Sequence, residues 1–397
     1  VNPAKRNVAL LVLCQALAMT TMTVLITVAA LAANEMTDNK VLVTLPIALM
    51  QVAVMLATIP ASMLMRQVGR RLGFMVGSGF AMVGGAIAAY AILINSFPLF
   101  SLGLFSIGIF SGFSGYYRFA AADAADESFR PQAISFVVAG GVLAALLGPG
   151  MAIASSEWFS NAMFAGTLLV VVALQIPTVL VLLGVKIPPL PVAERQKRGR
   201  SLTEIMQQPA FGVAVVGSMA GYGVMAFLMT ATPLAMVAMQ HPFPSAASVI
   251  QWHVLGMFAP SFFTGFLITR FGVLTMLLLG AVLNLLCVGT NLMGDSTSHF
   301  HLALTLLGVG WNFMYVSATT LLTETYTPAE KAKTQATHDF LMYTFVAFCT
   351  YLSGELLDRF GWVTLNYAAI PALVVAMASV LWLMRQRQRG LQGVHLR

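Results

Sequence analysis

Charge is what this chain has least of. Only 9% of its 397 residues are Asp, Glu, Lys or Arg, against 58% hydrophobic residues and a mean hydropathy of +0.84. A soluble domain carries about a quarter charged residues, so a surface solvated by water is excluded. Cysteine is also scarce. Cys14, Cys287 and Cys349 each fall inside an apolar run, with no C-x-x-C and no Cys/His spacing of metal-ligand type, which predicts buried free thiols and no disulfide framework. No Walker lysine loop, nucleophile elbow or His/Glu catalytic pair occurs, so neither ATP-driven work nor hydrolysis is expected, and the chain does not read as an enzyme or as the holder of a cofactor. His253 stands alone, and His299 and His301 at i, i+2 with Asp295 nearby do not make a metal site.

What the chain has in abundance is long apolar stretches. They run approximately over 8–33, 41–65, 74–94, 98–122, 131–154, 160–184, 209–239, 246–269, 273–293, 299–325, 333–357 and 363–384. A helix of roughly 20 apolar residues crosses about 30 Å of hydrocarbon. The runs lack the period-two alternation of barrel strands, so the expected class is an all-α membrane protein. The first run is too long for the short apolar core of a cleavable signal and reads as the first spanning helix.

Formal net charge is +7, with a pI near 9.5. In a soluble protein this would suggest nucleic acid as a partner; here its distribution has a simpler cause. With the N-terminus inside, Lys5, Arg6, Arg66, Arg70, Arg71, Arg130, Lys186, Arg195, Lys197, Arg198, Arg200, Arg270, Lys331, Lys333 and the tail arginines 385, 387, 389 and 397 fall on the cytoplasmic side. Lys40 and Arg359 land outside. The predicted location is a bacterial inner membrane with both termini cytoplasmic.

The longest connection, 186–208, holds Pro188, Pro189, Pro191 and the basic run 195–200, and separates bundles expected over 1–185 and 209–397. Sliding the chain by 203–204 positions superposes Arg66 and Gly69 on Arg270 and Gly272, Gln132-Ala133 on Gln335-Ala336, and Trp158-Phe159 on Gly361-Trp362. A constant register spread over both halves is the mark of a duplicated six-helix unit.

Arg66-Gln67-Val68-Gly69-Arg70-Arg71-Leu72-Gly73 resembles the R-x-x-G-R-R loop motif of the major facilitator superfamily, and Gly265-x-x-x-Thr269-Arg270-Phe271-Gly272 looks like its second-half copy. The resemblance implies two pseudo-symmetric six-helix bundles, and a loop in which Arg66, Gly69, Arg70, Arg71 and Arg270 hold the cytoplasmic side closed. The pattern departs at Ala61 and Met65, where the family has glycine and an acid, so a charge contact is missing from the motif itself. Gly140, Gly141, Gly148 and Pro149 in the fifth span resemble the glycine-rich motif of the superfamily's antiporters, which implies export; tight helix packing explains such residues as well. Gln335-Ala336-Thr337-His338-Asp339-Phe340, with Ser353-Gly354, Gly361-Trp362 and Asn366, is similar to a mixed bacterial branch that includes riboflavin uptake carriers.

Ionisable groups inside a bilayer are costly and therefore functional candidates. Asp339 lies about six residues into the eleventh span, some ~9 Å past its cytoplasmic end. Gln335, Asp339 and Tyr343 share a stripe, with His338 beside it. Asp339 is the proposed proton carrier, and a permanent salt bridge is the competing role. Arg118 in the fourth span needs an anion; Asp123, Asp126 and Asp339 are the candidates. The resemblance places spans 1, 4, 7 and 10 around a central cavity, which nominates Gln15, Met19, Phe113, Tyr117, Tyr222, Met225, Trp311, Asn312 and Tyr315 for substrate. An apolar aromatic seat with few hydrogen-bonding groups suits a flat or amphipathic organic molecule and disfavours sugar phosphates.

The expected function is secondary transport by alternating access, either proton-coupled export or uptake of a vitamin-like solute such as riboflavin. A non-transporting receptor on the same scaffold is the reading from another class. The expected partners are a small molecule, protons and membrane lipid, without nucleic acid or metal, and the expected state is a monomer.

Overall fold

The computed structural model describes residues 3–37, 42, 45–187 and 199–395, and it is α-helical with no strand among those residues. The helices are α1 (Pro3–Met36), α2 (Leu45–Val68), α3 (Arg70–Leu93), α4 (Phe97–Ser114), α5 (Tyr117–Ala124), α6 (Arg130–Ala139), α7 (Gly141–Ser155), α8 (Ala165–Leu183), α9 (Leu202–Met206), α10 (Pro209–Ala238), α11 (Phe243–Phe258), α12 (Ser261–Phe271), α13 (Val273–Met293), α14 (Thr297–Leu322) and α15 (Lys331–His395). Lys40, Arg397, the linker prolines and the basic residues 195–198 lie outside the described residues.

Ten described spans are long and apolar enough to cross a membrane, and a pair bent by 43° between α11 and α12 makes an eleventh. The bend sits at Ala259-Pro260, where proline lacks the N–H that would continue the helix. The 59-residue apolar stretch of α15 would reach about 90 Å if straight, three bilayer cores. It breaks at Gly361, at φ 76° and ψ 177°, so its arms 331–360 and 362–395 are each long enough for a crossing of their own, which brings the described spans to twelve. Two further spans are interrupted: α4 and α5 meet across Gly115-Tyr116, and α6 and α7 across Gly140.

By their contacts the residues form two compact units. The first comprises Val1–Glu127, Phe136–Lys197 and Gln335–Phe340; the second comprises Ser128–Ser135, Arg198–Thr334 and Leu341–Arg397. In the first, α3 and α2 pack on α4, α3 on α8, and α1 on α7 and α8. Its core includes Leu25, Phe100, Leu104, Ile107, Leu168 and Val171. In the second, α14 is the hub, packed by α13, α11 and α10. Large apolar side chains also point outward, Ile153 and Phe263 among them, as expected when the solvent is hydrocarbon.

The duplication is written in the backbone. Gly69 caps the start of α3 at φ 89° and ψ 161°, and Gly272 caps the start of α13 at φ 87° and ψ 148°. A side chain at either position would meet the left-handed penalty, so the turn that carries the loop motif requires glycine in both copies.

Candidate functional site

In the first unit, four charged side chains and one imidazole are gathered out of solvent. Arg118, one residue into α5, donates to Asp339 Oδ1 at 2.5 Å and to the Gly115 carbonyl at 2.6 Å. The Arg118 and Asp339 side chains are 3% and 1% exposed. His338 Nδ1 lies 2.8 Å from the same Oδ1, while Asp339 Oδ2 is buried without a hydrogen-bond partner among the described residues. Phe119 closes the cluster: its ring lies under the Arg118 guanidinium at 4.4 Å and meets the His338 ring edge-on at 6.5 Å. Of the three acids open to Arg118 by sequence, the fold selects Asp339.

Asp123 has another partner. Arg70 donates to its Oδ2 from Nε at 3.1 Å and Nη2 at 3.0 Å, and from Nη2 to Gln335 Oε1 at 2.7 Å. Met65, standing where the family motif has an acid, lies with its sulfur 3.8 Å from Arg70 Nη1. The charge contact missing from the motif is thus supplied from the end of α5. Arg70 also lies over the Tyr116 ring, whose hydroxyl donates to the Thr58 carbonyl at 2.8 Å. Arg66 is half-buried, Arg71 is exposed, and Arg270 rests on Phe271 at 5.4 Å.

The second unit contains a related but uncharged clasp. The Gln132 side-chain amide and the Thr269 hydroxyl hydrogen-bond at 2.9 Å, and the Gly265 N–H donates to Ser135 Oγ at 3.1 Å. The Ser135 hydroxyl donates to the Ser261 carbonyl. A Cβ on Gly265 would lie 2.5 Å from Gln132 Cα and 2.7 Å from the Pro131 carbonyl oxygen, so only glycine allows the backbones this close. Gln132 and Gln335, related by the repeat, therefore both hold a partner by their side-chain amides, a neutral hydroxyl in one unit and a guanidinium in the other.

A second lock ties α9 to the turn before α15. The buried Glu330 carboxylate accepts from the Arg200 backbone N–H at 2.7 Å, from its Nε at 2.9 Å and Nη2 at 2.7 Å, and from the Thr327 N–H at 2.9 Å. The Arg200 hydrogen bond, opposed by burial, pulls the Glu330 carboxyl down to about 2. Lys333 Nζ donates to the Arg200 carbonyl. Nothing in the sequence distinguished this pair from other loop charges.

The aromatic candidates of the second unit converge. Tyr222 of α10 stands edge-on to Trp311 at 5.5 Å, to Tyr315 at 5.6 Å and to Tyr343 at 6.0 Å. Trp311 and Tyr315 stack at 4.9 Å with planes 13° apart, and Phe258 meets Trp311 edge-on at 5.8 Å. Met225 is buried one turn along α10 from Tyr222. Further along the same two helices, α10 and α15, the Ser353 hydroxyl donates to the Phe227 carbonyl at 2.6 Å.

The remaining nominated residues lie elsewhere. Phe113 stacks on Phe80 at 6.4 Å and Tyr117 meets Phe74 at 4.5 Å with the rings tilted by 53°, both turned toward α3. Gln15 and Met19 are half-buried on α1. Asn312 accepts from the Thr264 hydroxyl at 2.6 Å and donates to the Met257 carbonyl at 2.6 Å and to Ser261, so its amide ties α14 to α11 and α12. Gly140 and Gly148 face α1, where a Cβ would meet the Val12 carbonyl oxygen at 2.7 Å and Thr23 Cγ2 at 2.5 Å. Gly141 starts α7 and is buried; Pro149 lies within α7, and its side chain is outside the described residues.

Comparison with known proteins agrees with this architecture. A family model described as Major Facilitator Superfamily matches residues 11–333 and 219–394. The riboflavin transporter RfnT of Brucella anthropi is 40% identical over 390 residues, covering 98% of this chain and 97% of that one. The uncharacterized MFS-type transporter YddS of Bacillus subtilis is 29% identical over 385 residues, covering 91% and 87%. Among solved structures, the transporter FucP in the outward conformation aligns with a TM-score of 0.76 at 16% identity, covering 94% of this chain and 98% of that one. The human organic anion transporter MFSD10 (TETRAN) aligns with a TM-score of 0.76 at 14% identity, covering 96% and 100%. Identities this low speak to the fold.

Proposed function

The chain belongs to the Major Facilitator Superfamily of membrane transporters, and on that premise we propose that it takes up a flat, uncharged heteroaromatic solute of the riboflavin type, driven by a proton bound at Asp339. The observation that carries the reading is the four-ring cluster of Tyr222, Trp311, Tyr315 and Tyr343, aromatic faces and edges of the kind that grip a planar ring system. The 40% identity to a riboflavin transporter over nearly the whole chain supports the same solute class. Export had rested on the glycine motif of α6 and α7, and packing against α1 accounts for Gly140 and Gly148 without it.

Asp339 supports coupling by its two oxygens. Oδ1 is engaged by Arg118 and His338, and Oδ2 is the unengaged position that a proton can take. Protonation removes the counter-charge of a buried guanidinium, so proton binding and separation of the pair favour one another by linkage. A two-state transporter needs such a link if the proton is to bias which state is populated. The basic residues of the short connections support an inner-membrane location with both termini in the cytoplasm.

Proteoliposomes containing the purified chain test this directly. With an inward proton gradient they are expected to accumulate riboflavin above equilibrium, and Asp339→Asn is expected to retain flavin exchange while losing gradient-driven accumulation. Gradient-driven extrusion in place of accumulation would restore the export reading; no flavin flux in either direction would remove the solute assignment.

A further inference from the structure

Two polar atoms on the helix that carries Trp311 and Tyr315 have no hydrogen-bond partner among the described residues. Trp311 Nε1 and Thr319 Oγ1 are both buried without a hydrogen bond, on residues that are 3% and 0% exposed. Thr320, next along α14, bonds its hydroxyl back to the Val316 carbonyl at 2.8 Å, as helical threonines commonly do; Thr319 does not. Leaving a donor or hydroxyl buried and unsatisfied costs about 1–3 kcal/mol each, which asks for an occupant that removes the cost.

Their placement gives the occupant's shape. Trp311, Tyr315 and Thr319 follow one another at four-residue intervals, a drift of about 40° per step, so they form one stripe of α14 with the Trp311–Tyr315 stack at one end. The outer two are eight residues, about 12 Å, apart along the axis. The indole N–H only donates, so it calls for a carbonyl; the threonine hydroxyl both donates and accepts, so it suits another hydroxyl.

We infer that Trp311 Nε1 and Thr319 Oγ1 are the two specificity contacts of the solute seat: Trp311 for a carbonyl of a fused-ring dione, Thr319 for a hydroxyl of its polyol chain, with the ring plane against Tyr222 and Tyr315. This rests on the flavin-type reading above and assigns which atoms read which part of the molecule. It makes Thr319 a binding residue and separates recognition of the ring from recognition of the chain.

Titration of the purified full chain with riboflavin and with lumiflavin, which keeps the dione rings but lacks the ribityl chain, tests it through quenching of flavin fluorescence. Trp311→Phe keeps an aromatic ring and removes the donor; it is expected to weaken both ligands by about three- to tenfold. Thr319→Val is expected to weaken riboflavin by a similar factor and leave lumiflavin unchanged, and Thr319→Ser, which restores the hydroxyl, is expected to bind riboflavin like the parent. Melting temperatures taken on the same samples identify a variant lost to misfolding, in which case the serine and valine pair decides. Equal loss of both ligands in Thr319→Val, or no change in any variant, overturns the assignment while leaving flavin transport standing. A parent chain that binds neither flavin overturns both.

Discussion

Replacing Asp339 with leucine removes the carboxylate that faces Arg118 and nearly keeps the side chain's size. Both partners are less than 4% exposed, so water cannot take the carboxylate's place without local opening. Breaking a buried pair by removing one member costs about 3–5 kcal/mol, because the other charge stays desolvated. Arg118→Met is expected to cost as much, from the side of the acid. In the double variant Arg118→Met/Asp339→Leu neither charge is left, and apolar replacements of buried ion pairs are neutral to stabilising. Each single variant is therefore expected to melt roughly 5–10 °C below the parent in detergent, with the double variant within about 2 °C of it. The coupling energy from the cycle should exceed about 2 kcal/mol. Flux follows different logic: all three variants lack the coupling pair, so all three are expected to lose gradient-driven accumulation, including the one that regains stability. Additive melting losses, with a coupling below about 0.5 kcal/mol, would refute the claim that Arg118 and Asp339 act as one unit.

Gly265→Ala forces a methyl into the backbone of Pro131 and Gln132 and is expected to cost about 1–3 kcal/mol, read as a lowered melting temperature together with slowed flux. Unchanged values for both would mean that the second clasp is not close-packed. Glu330→Gln removes the lock on α9; because Arg200 is 41% exposed, screening reduces the expected loss to about 1–2 kcal/mol. The carboxyl is depressed, so this contribution is present above pH 4.5 and lost as pH falls toward about 2; a pH series of melting temperatures should show parent and variant converging over that window and parallel above it. Riboflavin 5′-phosphate is expected to compete for uptake at least about tenfold less well than riboflavin. The buried lysines and arginines among the described residues, Arg70 and Arg118, belong to the first unit and already pair with acids, so a phosphate dianion at the ring cluster has no counter-charge. Equal competition by the phosphate would show that the ester stays in water during transport.

The crossings were legible from composition because the bilayer leaves an apolar chain one economical choice: a continuous helix that satisfies its own backbone. Legibility faded where helices break. The bend at Ala259-Pro260 carried a proline signal, but the interruptions at Gly115-Tyr116 and Gly140 have no proline beside them. Periodicity placed Gln335, Asp339 and Tyr343 on one stripe, yet nothing in it distinguished Asp339 from Asp123 or Asp126 as the partner of Arg118. Aromatic residues showed the same limit. Phe113 and Tyr117 looked as eligible as Tyr222 and Trp311, but they turn toward α3 while the latter pair meets Tyr315.

The sequence by itself therefore determined an all-helical membrane chain, its duplicated halves and the short list of groups able to carry charge or grip a ring. Those properties depend on each segment's own hydropathy, on turn glycines such as Gly69 and Gly272, and on spacing along one axis. Tertiary structure decided that Asp123 supplies Arg70 with the acid its motif lacks, that Arg118 takes Asp339, that Gln132 and Gln335 become the pins of two unlike clasps, and that Trp311 Nε1 and Thr319 Oγ1, on one stripe, find no hydrogen bond among the described residues. These depend on the rotation and approach of neighbouring helices, which helical periodicity, being a property of one axis alone, does not contain.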